Sequence, residues 1–282
     1  MNLGPLVSAQ WLADHLGDTS VMAADVRWTL GKPGAGGADY LAGHIPGAVF
    51  VDLDEDLSDS TGPGRHPLPS PERFAERMGA LGIGDETLVV AYDASSGSVA
   101  ARLWWMLRNQ EHPVAVLDGG WQAWVSAGLP VETVTPEPRQ TGFAIRGPWR
   151  DTADRDQLTS HLGEVVLLDA RVEERYRGSI EPVDPVAGHI PTAVSLPFSD
   201  LLEDGRLRSP DGLAARLQDA GMGGDQPVVV SCGSGVTACS LSLAAAVAGL
   251  PDPLLYPGSW SDWSSAGYPV ATGSDPGEPP PR

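Results

Sequence analysis

The sequence predicts an α/β protein built as two tandem domains, each a parallel sheet flanked by helices on both faces. Three observations carry that expectation. The chain repeats itself, strands alternate with helical stretches in both copies, and a glycine-rich loop starting at a cysteine follows an apolar strand in the second copy. The repeat is visible in four blocks. Ala24-Asp25-Val26-Arg27 returns as Leu168-Asp169-Ala170-Arg171, and Gly43-His44-Ile45-Pro46-Gly47-Ala48-Val49 as Gly188-His189-Ile190-Pro191-Thr192-Ala193-Val194. Leu88-Val89-Val90-Ala91-Tyr92-Asp93 returns as Pro227-Val228-Val229-Val230-Ser231-Cys232, and Gly119-Gly120-Trp121 with Trp124 as Gly258-Ser259-Trp260 with Trp263. Four blocks in one order identify a tandem duplication, at a period far above that of solenoid repeats.

The elements follow from local pattern. An amphipathic helix over 8–16 precedes a strand over 21–26, and in the second copy a helix over 152–161 precedes a strand over 165–169. Residues 31–37 read as a flexible loop. Each His-Ile-Pro turn leads to a short strand, 48–52 or 193–197. Then comes a helix over 71–81, with Ser70 as N-cap and Glu72 in the first turn; its counterpart over 209–220 has Pro210 at its first position. An apolar strand, a loop and a helix follow in both copies, over 88–110 and 228–248. A strand over 114–117 and a Trp-bearing helix close the first copy, and the second copy ends alike. The expected division is a domain over 1–135, a proline- and charge-rich linker over 136–150, a domain over 151–272, and a disordered tail over 273–282.

Composition narrows the function. The 282 residues suit two domains, and 41% hydrophobic content is enough for two cores. The formal net charge of −19, with Lys32 the single lysine, argues against nucleic acid and anionic membranes as partners. No apolar run reaches membrane-spanning length, and Met1-Asn2-Leu3-Gly4-Pro5-Leu6 lacks the basic and apolar regions of a secretory signal, so a cytoplasmic location is expected. Cys232 and Cys239 fall seven positions apart on a strand–loop–helix unit, a poor arrangement for a structural disulfide. No Cys/His cluster has metal-ligand spacing, so neither metal nor cofactor is expected.

The chemistry is expected at Cys232-Gly233-Ser234-Gly235-Val236-Thr237. Glycines allow successive backbone N–H groups to turn inward as a nest, and the following helix aims its unpaired N–H groups at the same point. A thiol in such a field is expected to ionise below the free value of roughly 8.5. In open α/β sheets ligands gather beyond the carboxyl ends of the strands, which is where Cys232 lies. The first copy carries Asp93 at the matching position, which a helix-capping role explains. His44 and His189 recur in both copies, as do the pairs Asp25–Arg27 and Asp169–Arg171, and are read as structural. A phosphatase of related fold requires an arginine six positions after its cysteine, where Ala238 stands.

This loop resembles that of the rhodanese family, and within it the 3-mercaptopyruvate sulfurtransferase branch, since the two residues after the cysteine are Gly233 and Ser234 rather than basic ones. The resemblance implies two tandem rhodanese-like domains, the first non-catalytic, and a persulfide on Cys232 cradled by Gly233, Gly235, Val236 and Thr237. It implies a relay of Ser234 with Asp54 and His66, and a substrate anion held by Arg175. The second basic residue of mammalian members falls at Asp184, which nominates Arg177 as its stand-in. The implied reaction takes a sulfane sulfur from 3-mercaptopyruvate, a small anionic donor, and delivers it to cyanide or a thiol such as thioredoxin or a small thiol. Thiosulfate as donor is the alternative, and a non-catalytic sulfur carrier or binding module a remote one.

Overall fold

The computed structural model describes residues 3–280. The chain divides into two compact units, one made of residues 1–59 and 69–150, the other of residues 60–68 and 151–282.

In the first unit the elements are β1 Leu6–Val7, α1 Ala9–His15, β2 Val21–Asp25, α2 Ala35–Ala42, β3 Val49–Phe50, α3 Pro71–Ala80, β4 Leu88–Tyr92, α4 Ala100–Asn109, β5 Val114–Leu117 and α5 Gly120–Ser126. The strands form one sheet in the order β1-β5-β4-β2-β3, every pair parallel. Parallel pairing forces a crossover between neighbours, and the helices supply it. Ser8 and Ser70 cap α1 and α3, their side chains accepting from the N–H groups of Trp11 and Arg73. Leu12, Ile45, Val90, Tyr92 and Trp124 meet in the core. The loop expected over 31–37 is kept as turn at 31–34, but its last three residues open helix α2. Gly36 is buried where an added Cβ would collide with the Arg27 carbonyl, so close packing builds a helix that glycine propensity alone disfavours. The stretch expected to be a linker packs within this unit. Phe143 lies edge-on to Phe74 with ring centroids 5.5 Å apart, and Trp149 Nε1 donates to the Pro69 carbonyl at 2.6 Å.

The second unit contains α6 Arg155–Ser160, β6 Val166–Asp169, α7 Glu173–Tyr176, β7 Ala193–Ser195, a 3-10 turn at Phe198–Leu201, the antiparallel pair β8 Leu202–Glu203 and β9 Arg206–Leu207, α8 Pro210–Asp219, β10 Val228–Ser231, α9 Ala238–Ala248, β11 Leu254–Leu255 and α10 Ser259–Ser265. Its parallel sheet runs β11-β10-β6-β7, which puts β10 inside, with β6 and β11 as its neighbours. Helix α9 is apolar on all sides and buried from Ala238 to Ala245, as such a composition demands. Trp260 and Trp263 are fully buried beside Leu167, Tyr176 and Ile190. Their indole N–H groups donate to the carbonyls of Val186 and Pro269.

Two expectations are corrected here. Residues 273–280 of the supposed disordered tail are tied to the second unit: the Thr192 N–H donates to the Pro276 carbonyl at 2.6 Å, and His189 Nε2 lies 3.1 Å from the Asp275 carbonyl. Residues 281–282 lie outside the described residues. Residues 60–68, which sequence order assigns to the first repeat, pack with the second. The recurrent pairs behave as read. Arg27 and Arg171 each grip the aspartate two positions back, and His44 and His189 each bond a tyrosine's carbonyl at 2.8 Å through Nδ1.

Candidate active site

Strand β10 delivers Cys232 to its carboxyl end, and the loop 232–237 turns directly into α9. Gly235 has φ +77°, and an added Cβ would overlap the Pro257 carbonyl, so glycine is required there. The start of α10 holds the loop from the other side. The carbonyls of Cys232 and Gly233 accept from Trp260 and Ser261 N–H groups at 3.0 and 2.9 Å. The Cys232 N–H donates to Ser259 Oγ at 3.0 Å, and that hydroxyl donates to the Tyr256 carbonyl at 2.9 Å. Ser259 adopts φ +51°, a conformation costing a non-glycine residue about 1–3 kcal/mol. The repeat has Gly120 at this position, with φ +54°. A serine kept where its twin is a glycine is the signal that exposes Ser259 as the residue anchoring Cys232, and sequence reasoning missed it.

Cys232 is 3% exposed, and Ser234 and His66 are each 8% exposed. Ser234 Oγ and His66 Nδ1 lie 2.7 Å apart, a hydrogen bond between residues 168 positions apart that sets the hydroxyl against an imidazole. The segment carrying His66 is fastened by the Arg65 N–H, which donates to Ser261 Oγ at 3.1 Å. Asp54 belongs to the first unit, where its exposed carboxylate accepts from Trp28 Nε1 at 3.1 Å.

The cations sit over Gly233. An ideal Cβ built on that glycine would lie 3.0 Å from Arg65 Nη2 and 3.2 Å from Arg175 Nη1, so two guanidinium groups occupy the room beside the loop. Arg175 pairs with Glu181 at 2.8 Å and Asp184 at 3.2 Å, rather than with its helical neighbours Glu173 and Glu174. Arg65 Nη1 pairs with the other oxygen of Asp184. Arg171 completes the group: its Nη1 is buried without a hydrogen bond, 3.6 Å from Glu181. Burial works against the Arg171 charge, but Asp169, Glu181 and Cys232 outweigh it and hold the guanidinium more firmly protonated than usual. Burial likewise opposes the Glu181 charge, yet the hydrogen bonds from Arg175, Asp184 and Val183 hold that carboxyl below its ordinary range. Burial raises the Asp184 carboxyl, with Arg65 pulling the other way. Arg177 is placed elsewhere. It is exposed and its Nε donates to Glu173 at 2.6 Å, so the cation found beside Arg175 is Arg65, not the nominated Arg177. Sequence reading missed Arg65 because its partner lies 119 positions away.

The Rhodanese-like domain family matches this chain twice, over residues 8–127 and 154–266. The chain belongs to the rhodanese family. Its rhodanese relatives are enzymes named as sulfurtransferases. The human 3-mercaptopyruvate sulfurtransferase is 39% identical over 275 residues, covering 92% of this chain and 91% of that protein. The thiosulfate sulfurtransferase of Cricetulus griseus is 38% identical over 279 residues, with the same coverage. The crystal structure of SseA from Escherichia coli, a 3-mercaptopyruvate sulfotransferase, superposes with a TM-score of 0.81 at 36% identity and covers 92% of this chain and all of that one. Among the described residues, no helix is long and apolar enough to cross a membrane.

Proposed function

We propose that this chain is a sulfurtransferase that takes a sulfane sulfur from 3-mercaptopyruvate through a persulfide on Cys232. The observation that carries the reading is the joint placement of Cys232, the Ser234–His66 hydrogen bond and the two guanidinium groups over Gly233. The Cys232 thiolate attacks the donor sulfur, and an S–S bond forms as the C–S bond breaks. The electron pair of the C–S bond goes to carbon as the enolate of pyruvate. That enolate takes the proton the donor thiol gives up, moved by Ser234 and His66 with Asp54 as the proposed third member of the relay. The anionic persulfide rests against the N–H groups of Gly233, Gly235, Val236 and Thr237. In the second half-reaction a thiolate or cyanide attacks the outer sulfur, and the electron pair of the S–S bond returns to Cys232 as thiolate. Thioredoxin or a small thiol is the proposed acceptor, and the cytoplasm, where two free cysteines persist, the proposed compartment.

Arg65 and Arg175 beside Gly233 are already paired with Asp184 and Glu181, and a group so balanced suits one carboxylate better than the dianion thiosulfate. The first test is mass spectrometry of the protein after incubation with 3-mercaptopyruvate. A gain of one sulfur, about 32 Da, on the peptide bearing Cys232 is expected, together with a kcat/KM for 3-mercaptopyruvate above that for thiosulfate. A clear preference for thiosulfate reverses the choice of donor, and no added sulfur from either removes the enzymatic reading.

A further inference from the structure

Ser261 holds both sides of the Ser234–His66 pair without belonging to it. Its N–H donates to the carbonyl of Gly233, the residue before Ser234, at 2.9 Å. Its Oγ accepts from the N–H of Arg65, the residue before His66, at 3.1 Å. Ser234 Oγ and His66 Nδ1, 2.7 Å apart, close the ring, and the two remaining links are single peptide units of fixed length. The Ser261 hydroxyl gives its hydrogen to the Gly258 carbonyl at 3.0 Å, which leaves a lone pair for Arg65. The segment it grips is compact. Gly62 has φ +135°, and an added Cβ there would lie 2.8 Å from Pro67 Cβ. Gly64 has φ +80°, and an added Cβ would lie 2.6 Å from the Gly258 carbonyl oxygen and 2.8 Å from Ser261 Oγ, so glycine is required where the segment meets α10. Ser261 is buried, whereas the matching residue of the first copy, Gln122, is exposed. The fold of the repeat therefore does not demand a serine here; residues 60–68 do.

We propose that Ser261 is a positioning residue for sulfur transfer, a two-ended clamp that sets the approach of His66 to Ser234 by holding the residue before each. The proposal rests on the reading of Ser234 and His66 as the pair that moves the donor's proton. Proton transfer needs its two heavy atoms within hydrogen-bond reach, and a misplacement of about 1 Å costs on the order of 100-fold in rate. His66 comes from residues 60–68, a segment with no strand or helix of its own, so its position depends on the bonds that fasten it. The first turn of α10 already carries the cysteine loop through the N–H groups of Trp260 and Ser261. Through Ser261 Oγ the same turn carries the histidine segment, which puts both partners in one frame.

The test is steady-state kinetics with 3-mercaptopyruvate and cyanide, read beside the Cys232 persulfide formed at saturating donor. Ser261→Ala keeps the N–H that bonds Gly233 and removes the acceptor of Arg65. It lowers kcat about 5- to 20-fold and leaves the donor KM within about threefold of the wild type. The Ser234→Ala/Ser261→Ala double variant is no slower than Ser234→Ala alone, because a clamp has no effect once the bond it sets is gone. A purely structural role would lower both backgrounds alike. Gly64→Ala pushes the same segment off α10 from its other side and lowers kcat in the same direction. Should Ser261→Ala fail to fold by circular dichroism, Gly64→Ala, alone and combined with Ser234→Ala, carries the test. A wild-type kcat in Ser261→Ala, a loss that falls on the donor KM instead, or a double variant whose losses multiply overturns the proposal, while a sulfur gained by wild-type Cys232 upholds the functional reading. A wild-type protein that takes no sulfur from 3-mercaptopyruvate overturns both.

Discussion

The two copies solve the same loop problem in different ways. In both, a central parallel strand ends at the mouth of a loop that leads into a buried helix, and in both the Trp-bearing helix bonds back to the first loop residue. In the first copy that residue is Asp93, fully buried, and its carboxylate fills its own loop. Oδ1 accepts from the N–H groups of Ser95 and Gly97 at 2.8 and 2.9 Å, and Oδ2 from those of Val99 and Ala100 at 2.7 and 2.9 Å. Four backbone donors converging on one carboxylate show that this loop is an anion cradle. The second copy places a thiol at the same strand end, shortens the loop by one residue, and surrounds it with Ser234, His66, Arg65 and Arg175. The first loop is filled by its own carboxylate side chain; under the proposed function the second loop takes up an outer sulfur instead.

Substitutions that convert one copy toward the other sharpen this contrast. The largest effect is expected from Cys232→Asp, which gives the second loop the residue of the first. Turnover with 3-mercaptopyruvate should disappear, while the melting temperature stays at or above that of the wild type because the new carboxylate takes up the loop's N–H groups. Retained sulfur transfer would break the comparison. Next is Asp93→Ala, which strips four donors of their acceptor in a buried site. It should destabilise the protein by at least about 3 kcal/mol in denaturant unfolding, with the Cys232 persulfide still forming below the transition. A stability within experimental error of the wild type would mean that the first loop needs no anion. The smallest effect belongs to Ser234→Ala, which removes the hydroxyl bonded to His66. It should lower kcat about 10- to 100-fold with little change in donor KM. An equal kcat would leave the Ser234–His66 bond a structural one.

Much of this was legible because duplication wrote it twice. The matched blocks mark the strands, the His-Ile-Pro turns and the Asp–Arg pairs, and the caps at Ser8 and Ser70 are local signals that tertiary packing leaves in place. The Cys232 loop was legible because glycines after a cysteine at a strand end are a local pattern, and Gly235 does adopt the positive φ that pattern calls for. The pairing of Ser234 with His66 was reached only through the family resemblance; in the structure the two side chains are hydrogen-bonded. What could not be read is long-range. Helix α2 depends on Gly36 meeting the Arg27 carbonyl, a contact that composition cannot express. The proline-rich residues 273–280 look unstructured by composition, yet they are held by backbone bonds to Thr192 and His189. Arg65 lies in a glycine- and proline-rich loop of the first repeat, and only folding brings that loop into the second unit beside Asp184.

The most direct test of the cradle is a crystal structure of the protein after treatment with 3-mercaptopyruvate, with the 232–237 loop superposed on the 93–99 loop. The account predicts one extra sulfur bonded to Cys232 Sγ, within hydrogen-bonding distance of the loop N–H groups and overlapping the volume that the Asp93 carboxylate fills in the first copy. An extra sulfur on Cys239 instead, or one on Cys232 that turns away from those N–H groups, would contradict it.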